Sequence, residues 1–411
     1  MDEVGELKRT LGVVDAVVIG LGSMVGAGIF AALGPAAEAA GPGLLVALAI
    51  AGVVAFCNAT SSADLAALYP EAGGTYVYGR RRLGEVWGFA AGWSFVFGKT
   101  ASCAAMALTF GAYASEELMR PLAIAAVVGL TALNYRGIER TAAATRVIVA
   151  IVLGCLAAMV TATALGGELE TARLEPLFSS GPYGVLQAGG LLFFAFAGYA
   201  RIATLGEEVR DPSSTIPRAI PLALGIALGV YALVASLALL AAGPELLAAS
   251  EEPLVAAVEV GSFSALAPAV EIGAVVASLG VLLSMIAGVS RTTLAMARRR
   301  ELPGALAAVH PRYGVPHRAD IAIATVVCVV VSVADVREAI GFSSFLVLVY
   351  YAIANASALT LPAGERRLSR SVPALGLAGC LLLALALPAI SLLAGAAVLA
   401  AGLTGRQLIA R

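Results

Sequence analysis

The stretch GLGSMVGAGIF, residues 20–30, places four glycines inside an apolar run that is long enough to cross a membrane. Glycine weakens a helix interior because it loses the most backbone entropy on folding. Non-helical backbone at membrane depth is tolerated only where it is buried in protein or lines a cavity. The stretch therefore predicts a membrane helix that is interrupted near its middle. The alternative is that the glycines serve close helix packing, since Gly22 and Gly26 also fit the spacing of such contacts.

A second apolar run, FFAFAGYARIATLGEE at residues 193–208, carries Gly198 near its middle. An interrupted helix offers free N–H groups and a partial positive charge where its second half begins. It offers free carbonyl groups where its first half ends. The N–H groups suit a carboxylate and the carbonyl groups suit an ammonium, so one interruption can hold both ends of an amino acid.

The composition indicates that lipid is the solvent of this chain. Of its 411 residues, 60% are hydrophobic and 13% are charged, and the mean hydropathy is +0.93. Soluble domains have about 45–50% apolar and about 25% charged residues. We predict an all-α integral membrane protein with about twelve transmembrane helices. The predicted spans lie near residues 11–33, 43–68, 85–113, 121–138, 142–165, 184–206, 216–242, 264–297, 319–334, 338–360, 372–387 and 389–403.

The basic residues predict the orientation, because lysine and arginine collect in cytoplasmic loops. With a cytoplasmic N-terminus, all but four of the 26 basic residues, beginning with Lys8 and Arg9, fall at cytoplasmic loops or helix ends. The exceptions are Lys99 within a span and three arginines outside, which are Arg120, Arg173 and Arg337. We expect a multi-pass protein of the cell membrane with both termini in the cytoplasm. Its arginine clusters are expected to contact anionic membrane lipids.

The loops between the spans are short, so residues 1–411 are expected to form a single transmembrane domain. The outer connection near residues 243–263 is expected to carry a short surface helix over an external vestibule. The five cysteines lie in apolar segments without metal-ligand spacing. The spans contain no Asp-rich, His-rich or Ser/His group typical of an intramembrane enzyme. We expect no enzymatic activity, cofactor, metal or nucleic-acid partner.

Four segments, in the right order along the chain, resemble the amino acid-polyamine-organocation (APC) superfamily of transporters. They are the first-helix segment GSMVGAGIF (residues 22–30), the loop YPEAGGTYVYGRRRLGEVWGFAAGW (69–93), the sixth helix and its exit (193–220), and SRTTLAMARRRELP (290–303) at the end of the eighth helix. The resemblance implies a five-plus-five inverted repeat with interrupted first and sixth helices and two extra helices. The corresponding ranges are about 11–165, 184–360 and 372–403.

The resemblance also implies a substrate site built largely from backbone groups. The N–H groups expected to bind the substrate carboxylate belong to Gly26, Ala27 and Gly28. The carbonyl groups expected to bind its ammonium lie near Met24, Phe194 and Ala197. The interruption in the sixth helix is expected at Gly198.

Aromatic side chains complete the site that the resemblance implies. Phe194 lies where relatives place an aromatic gate, and Phe196 and Tyr199 are candidates for the pocket around the substrate side chain. Aromatic residues on a helix more often serve plain packing, which is the competing interpretation for both.

The chain also departs from the pattern of the superfamily. Many members carry an acidic residue just after the Gly-aromatic pair of the sixth helix, where this chain has Ala200 followed by Arg201. Some proton-coupled members carry a lysine in the fifth helix, but residues 149–153 contain none. The missing acid favours neutral or apolar substrates, and the coupling group must lie elsewhere.

Lys99 is the candidate for proton coupling. It lies near the middle of the third span, and Lys8 is the only other lysine in the chain. An ionisable group at this depth costs about 2.5–3.5 kcal/mol on insertion scales, so it should face protein or water. A buried lysine can release its proton, whereas arginine stays protonated. The competing hypothesis is a structural lysine that donates to the carbonyl groups of an interrupted helix.

The sequence thus predicts a secondary active transporter, or permease, of amino acids. Alternating access around the first and sixth helices would be driven by a proton or by substrate exchange. The alternative is a membrane nutrient receptor that binds amino acids in the same pocket without moving them.

Overall fold

A computed structural model describes residues 11–69, 73–137, 142–203 and 208–409, so Lys8 and Arg9 lie outside the described residues. The regular secondary structure of the described part is helical, and one isolated bridge joins Leu11 and Val209. Its α-helices are α1 (Val13–Met24), α2 (Ala27–Ala40), α3 (Leu44–Leu68), α4 (Thr75–Leu83), α5 (Glu85–Ala114), α6 (Met119–Tyr135), α7 (Ala142–Gly166), α8 (Gly181–Phe196), α9 (Ala200–Ala203), α10 (Pro212–Ala249), α11 (Pro253–Glu259), α12 (Ala267–Arg298), α13 (His317–Val333), α14 (Val336–Leu359), α15 (Ser371–Ala386) and α16 (Ala389–Ile409).

The helical class of the fold is confirmed. By length and hydropathy, seven of the described helical stretches can cross a membrane, and α1, α6 and α15 are shorter apolar helices. Each predicted span contains a helix or a pair of helices. The number of twelve spans and the inverted repeat stay predictions.

The predicted interruption of the first span is confirmed. The Val25 N–H still donates to the Leu21 carbonyl over 2.7 Å, and the helix stops there. Gly26 leaves the helical region with φ −93° and ψ −148°, and α2 begins at the next residue. The first span is therefore two separate helices, α1 and α2, joined by Val25 and Gly26.

The interruption of the sixth span is less complete than the sequence predicts. Between α8 and α9 the chain forms a 3₁₀ turn at Ala197–Tyr199 instead of an extended break. The physical reason is that Ala197 keeps a helical φ of −62°, and its N–H donates to the Phe194 carbonyl three residues back. The helix tightens at Gly198, and this shifts its carbonyl groups without separating the two halves.

The connection near residues 243–263 contains a short helix, as predicted, but it is not a surface helix, because five of its seven residues are buried against neighbouring helices. Helix α10 is kinked at Gly243, which has a φ of 75°, and Pro244 follows. The chain then turns into α11, which packs against α2, α7, α10 and α12. At the other end of the chain, α15 and α16 are separate helices because Leu387 is extended and Pro388 follows it.

A buried polar cluster joins α3, α14 and α15. The Asn355 side-chain N–H donates to the Asn58 Oδ1 over 2.6 Å, and the Ser61 hydroxyl donates to the Asn355 Oδ1 over 2.7 Å. The Cys380 thiol lies 3.3 Å from the same Asn58 oxygen. Asn58 and Asn355 are both fully buried. The first of the two predicted extra helices is thereby bonded into the interior of the protein.

We expect Asn355→Leu to lower the free energy of unfolding by about 1–3 kcal/mol, because the Asn58 oxygen would lose its amide donor and the Ser61 hydroxyl would lose its acceptor inside the protein. Unfolding in mixed micelles measures the change. Ser357→Ala is the matched control, since Ser357 is buried on the same helix but donates only to the Ile353 carbonyl of its own helix. Equal losses for the two variants would contradict this role of the cluster.

Candidate substrate-binding site

The interruptions of the first and sixth spans touch each other. A Cβ atom on Gly198 would lie 2.1 Å from the Ser23 carbonyl oxygen and 2.7 Å from the Met24 nitrogen. A Cβ atom on Gly28 would lie 2.6 Å from the Ala195 Cα. No larger residue fits at either glycine without a shift of backbone. Close helix packing is therefore part of what these glycines do, in agreement with the alternative interpretation.

The predicted carboxylate-binding groups lie at the start of α2. Ala27 and Gly28 are the first two residues of that helix, and Gly26 is its N-cap. The first N–H groups of a helix have no partner within the helix, and they carry the positive end of its dipole. A Cβ atom on Gly26 would meet the Val281 side chain of α12 at 2.2 Å. The structure thus brings α2, α8 and α12 together around these N–H groups.

Two buried tyrosines bind the carbonyl groups at the interruptions. The Tyr231 hydroxyl on α10 contacts the Met24 carbonyl oxygen and lies 3.0 Å from the Ala195 carbonyl oxygen. The Tyr351 hydroxyl on α14 donates to the Ala197 carbonyl over 3.3 Å. Met24 and Ala197 are two of the three residues predicted to bind a substrate ammonium. The tyrosines fix the direction of these carbonyl groups, and each oxygen keeps a second lone pair.

Sequence reasoning missed both tyrosines. Each lies within an apolar helix, where its ring alone gives no sign of function. The available signal was the hydroxyl, since a buried tyrosine hydroxyl usually has a hydrogen-bond partner. The identity of that partner depends on the fold, because Tyr231 and Met24 are 207 residues apart in the chain.

The predicted aromatic residues differ in burial. The Phe196 ring is fully buried against Tyr231, with ring centroids 5.2 Å apart. The Tyr199 ring is fully buried against Tyr351, with centroids 5.0 Å apart. Phe194 keeps 9% of its surface exposed. The contacts of Phe196 and Tyr199 are those of packing residues behind the interruptions, and Phe194 is the more accessible of the three rings.

Lys99 is buried in α5, with 7% of its surface exposed. Helix α5 packs mainly against α12 and α14. One turn further along α5, the Ser102 and Ser343 hydroxyls lie 2.6 Å apart and join α5 to α14. Among the described residues, no acceptor forms a hydrogen bond with the Lys99 ammonium, and no carboxylate forms an ion pair with it. The proton-coupling role of Lys99 and its structural alternative both stay predictions.

The chain matches the family model described as amino acid permease over residues 15–406. An uncharacterized transporter of Mycobacterium tuberculosis is 61% identical over 409 residues, which cover 99% of this chain and 93% of the relative. A branched-chain amino acid permease of Bacillus subtilis is 26% identical, with 84% and 80% covered. A methylthioribose transporter of the same species is 29% identical, with 76% and 72% covered.

The interrupted first span, the tightened sixth span and the match along most of the chain define the class of this protein, a helical membrane transporter. The chain belongs to the amino acid permease family. The resemblance to the APC superfamily is thereby confirmed. Members of this family are transporters and not enzymes.

We expect Tyr231→Phe to lower the free energy of unfolding by about 0.5–1.5 kcal/mol, because the Met24 and Ala195 carbonyls lose a shared donor. Unfolding in mixed micelles measures the change. Tyr183→Phe is the control, since Tyr183 is 59% exposed. If Tyr231→Phe were as stable as the control variant, the hydroxyl would not be holding the two carbonyl groups.

Proposed function

We propose that this protein is a secondary active transporter of neutral or apolar amino acids in the cell membrane. Alternating access takes place around the interrupted first span and the tightened sixth span. The observation that carries the proposal is the contact between the two, with Gly198 against Ser23 and Met24. It brings the free N–H groups of α2 and the carbonyl groups of two spans to one place.

The substrate is held by its two charged ends. Its carboxylate accepts from the N–H groups of Gly26, Ala27 and Gly28, where the dipole of α2 favours an anion. Its ammonium donates to carbonyl groups, which are those of Met24, Phe194 and Ala197. Both charged ends are thus recognised by backbone groups. Because all amino acids carry the same carboxylate and ammonium, this recognition does not depend on the side chain.

The charges around the interruptions support a substrate with a neutral side chain. Residues 20–30 contain no charged side chain, and Arg201 is the only one in residues 193–203. A cationic side chain would lack a carboxylate partner among these residues, and burying an unpaired charge is costly. The name of the branched-chain permease from Bacillus subtilis supports the same choice.

The remaining parts of the proposal concern architecture and orientation. Two repeats, at about residues 11–165 and 184–360, form one transmembrane domain with extra helices at about 372–403. The two irregular spans open the two repeats, as expected of inverted-repeat transporters. Both termini face the cytoplasm, and the arginine-rich loops contact anionic lipid.

Lys99 is proposed to carry the coupling proton. Lys99 is buried, and no carboxylate among the described residues forms an ion pair with it. Coupling by exchange of one substrate for another is the other mode open to this site, and it does not require Lys99 to titrate.

Uptake by reconstituted protein tests the function. We expect L-leucine to accumulate in proteoliposomes, and we expect L-leucinol, which lacks the carboxylate, not to compete because it cannot use the N–H groups of α2. Liposomes without protein are the control. Binding of leucine without accumulation would support the nutrient receptor instead, and equal competition by leucinol would contradict the carboxylate site.

Variants of Lys99 test the coupling. Lys99→Gln cannot carry a proton and Lys99→Arg keeps its proton, so we expect uptake by both to lose its dependence on pH. Uptake measured between pH 5.5 and 8 gives the result. Lys8→Gln, at the only other lysine, is the control and should retain the wild-type profile. Unchanged profiles in both Lys99 variants would rule out the proton-carrier role.

A further inference from the structure

Helices α6 and α13 run antiparallel and touch near both of their ends. At the end of α6 and the start of α13, the Tyr135 and His317 rings pack edge to face with centroids 5.9 Å apart. At the start of α6 and the end of α13, the Arg120 guanidinium donates to the Val331 carbonyl over 2.8 Å. In the proposed orientation the ring contact lies at the inner face of the membrane and the arginine contact at the outer face.

A groove lies between these two contacts. It is lined by Val128 and Thr131 of α6 and by one face of α13 from Ile321 to Ser332. Its volume is about 440 Å³, within the range of about 300–1,000 Å³ that is usual for ligand pockets. Val128 and Val329, on its two sides, are 57% and 58% exposed. The groove therefore opens on the outside of the helix bundle, where membrane lipid surrounds the protein.

The length and polarity of the groove fit one acyl chain. Helix α13 rises about 16 Å from Ile321 to Ser332, at 1.5 Å per residue. One leaflet contributes half of the hydrocarbon core, which is about 15 Å. Two of the hydroxyl groups that line the groove, those of Thr325 and Ser332, donate to carbonyl groups of their own helix over 2.8 Å. The groove thus presents a largely apolar surface about as long as one leaflet is deep.

The inner end of the groove is positively charged. Arg318 precedes Ile321 by three residues, so it continues the face of α13 that lines the groove. Arg136 directly follows Tyr135, and both arginines are exposed. Among the described residues, no carboxylate forms an ion pair with Arg318. Asp320 is the only acidic residue of α6 and α13, and it is buried, on a different face from Arg318 because residues two apart do not share a helix face.

Thr131 lines the groove one turn before Tyr135, between the arginines and the apolar part. Its side chain is 8% exposed, and its hydroxyl has no hydrogen-bond partner within the part of the chain that the structure describes. Such an unpaired hydroxyl is costly at membrane depth. A phospholipid carries ester oxygens, which are acceptors, between its phosphate and its acyl chains. The order of arginine, hydroxyl and apolar surface along the groove therefore matches the order of groups in a phospholipid.

We propose that this groove binds one anionic phospholipid of the inner leaflet. The phosphate contacts Arg318 and Arg136, an ester oxygen accepts from the Thr131 hydroxyl, and one acyl chain lies along α13 past Cys328 and Val329. Basic pockets between membrane helices on the cytoplasmic side bind anionic head groups in this way. The inference rests on the proposed orientation, and it extends the proposed contact of the arginine-rich loops with anionic lipid to one defined site.

Native mass spectrometry of the purified protein, titrated with phosphatidylglycerol, tests the proposal. We expect one lipid to bind more tightly than the rest. Val329→Trp fills the groove, so we expect the Kd of this lipid to rise by at least about tenfold, because its acyl chain loses apolar contacts. Val326→Trp is the matched control, since Val326 is an exposed valine of the same helix that does not line the groove. Equal Kd values for the two variants would overturn the proposal.

A surface variant keeps the test decisive if Val329→Trp does not fold. Arg318→Gln should lower the preference of the site for phosphatidylglycerol over phosphatidylcholine about fivefold, the contribution of one arginine near anionic lipid. Arg370→Gln, at an exposed arginine of another loop, should keep the wild-type preference. A wild type without this preference, or a dimer that Val329→Trp converts to monomers, would contradict the proposal. Lipid binding is measured without substrate, so this result is independent of whether leucine accumulates in proteoliposomes.

Discussion

The close approach of two backbones at Gly198 is the constraint on which the rest of the structure depends. Any side chain there would collide with Ser23 and Met24, so the first and sixth spans meet only because this position is glycine. Meeting in this way leaves peptide groups without helix partners, and such groups are costly in a membrane unless they are bonded. Tyr231 and Tyr351 bind some of the carbonyl groups, and the proposed substrate would bind other peptide groups.

This division of the peptide groups between tyrosines and substrate lets the interruptions persist in an apolar protein. The Tyr231 hydroxyl contacts a carbonyl of each span, so it links α10 to both interruptions at once. Tyr351 binds the Ala197 carbonyl in the same way from α14. The N–H groups at the start of α2 have no partner within that helix, and the proposed substrate carboxylate would bind them. A bound zwitterion would supply hydrogen-bond partners for these N–H and carbonyl groups. Substrate binding and closing of the site would then occur together.

The helical class and the first interruption could be predicted from the sequence, because four glycines within one apolar span favour a break over a continuous helix. The sixth span was harder, since Gly198 alone does not distinguish an extended break from the 3₁₀ turn that forms there. The tyrosine contacts and the Asn58–Asn355 cluster were not predictable. Their partners are 207 and 297 residues apart, and a polar residue inside an apolar helix does not indicate which helix it will meet.

The position of a bound amino acid tests the central claim most directly. Cryo-electron microscopy of the protein with L-leucine should place the carboxylate at the N–H groups of Gly26, Ala27 and Gly28, and the ammonium at the carbonyl groups near Met24 and Ala197. Leucine bound away from the contact between Gly198 and Ser23, or a first span that is continuous through Val25 and Gly26, would contradict the claim.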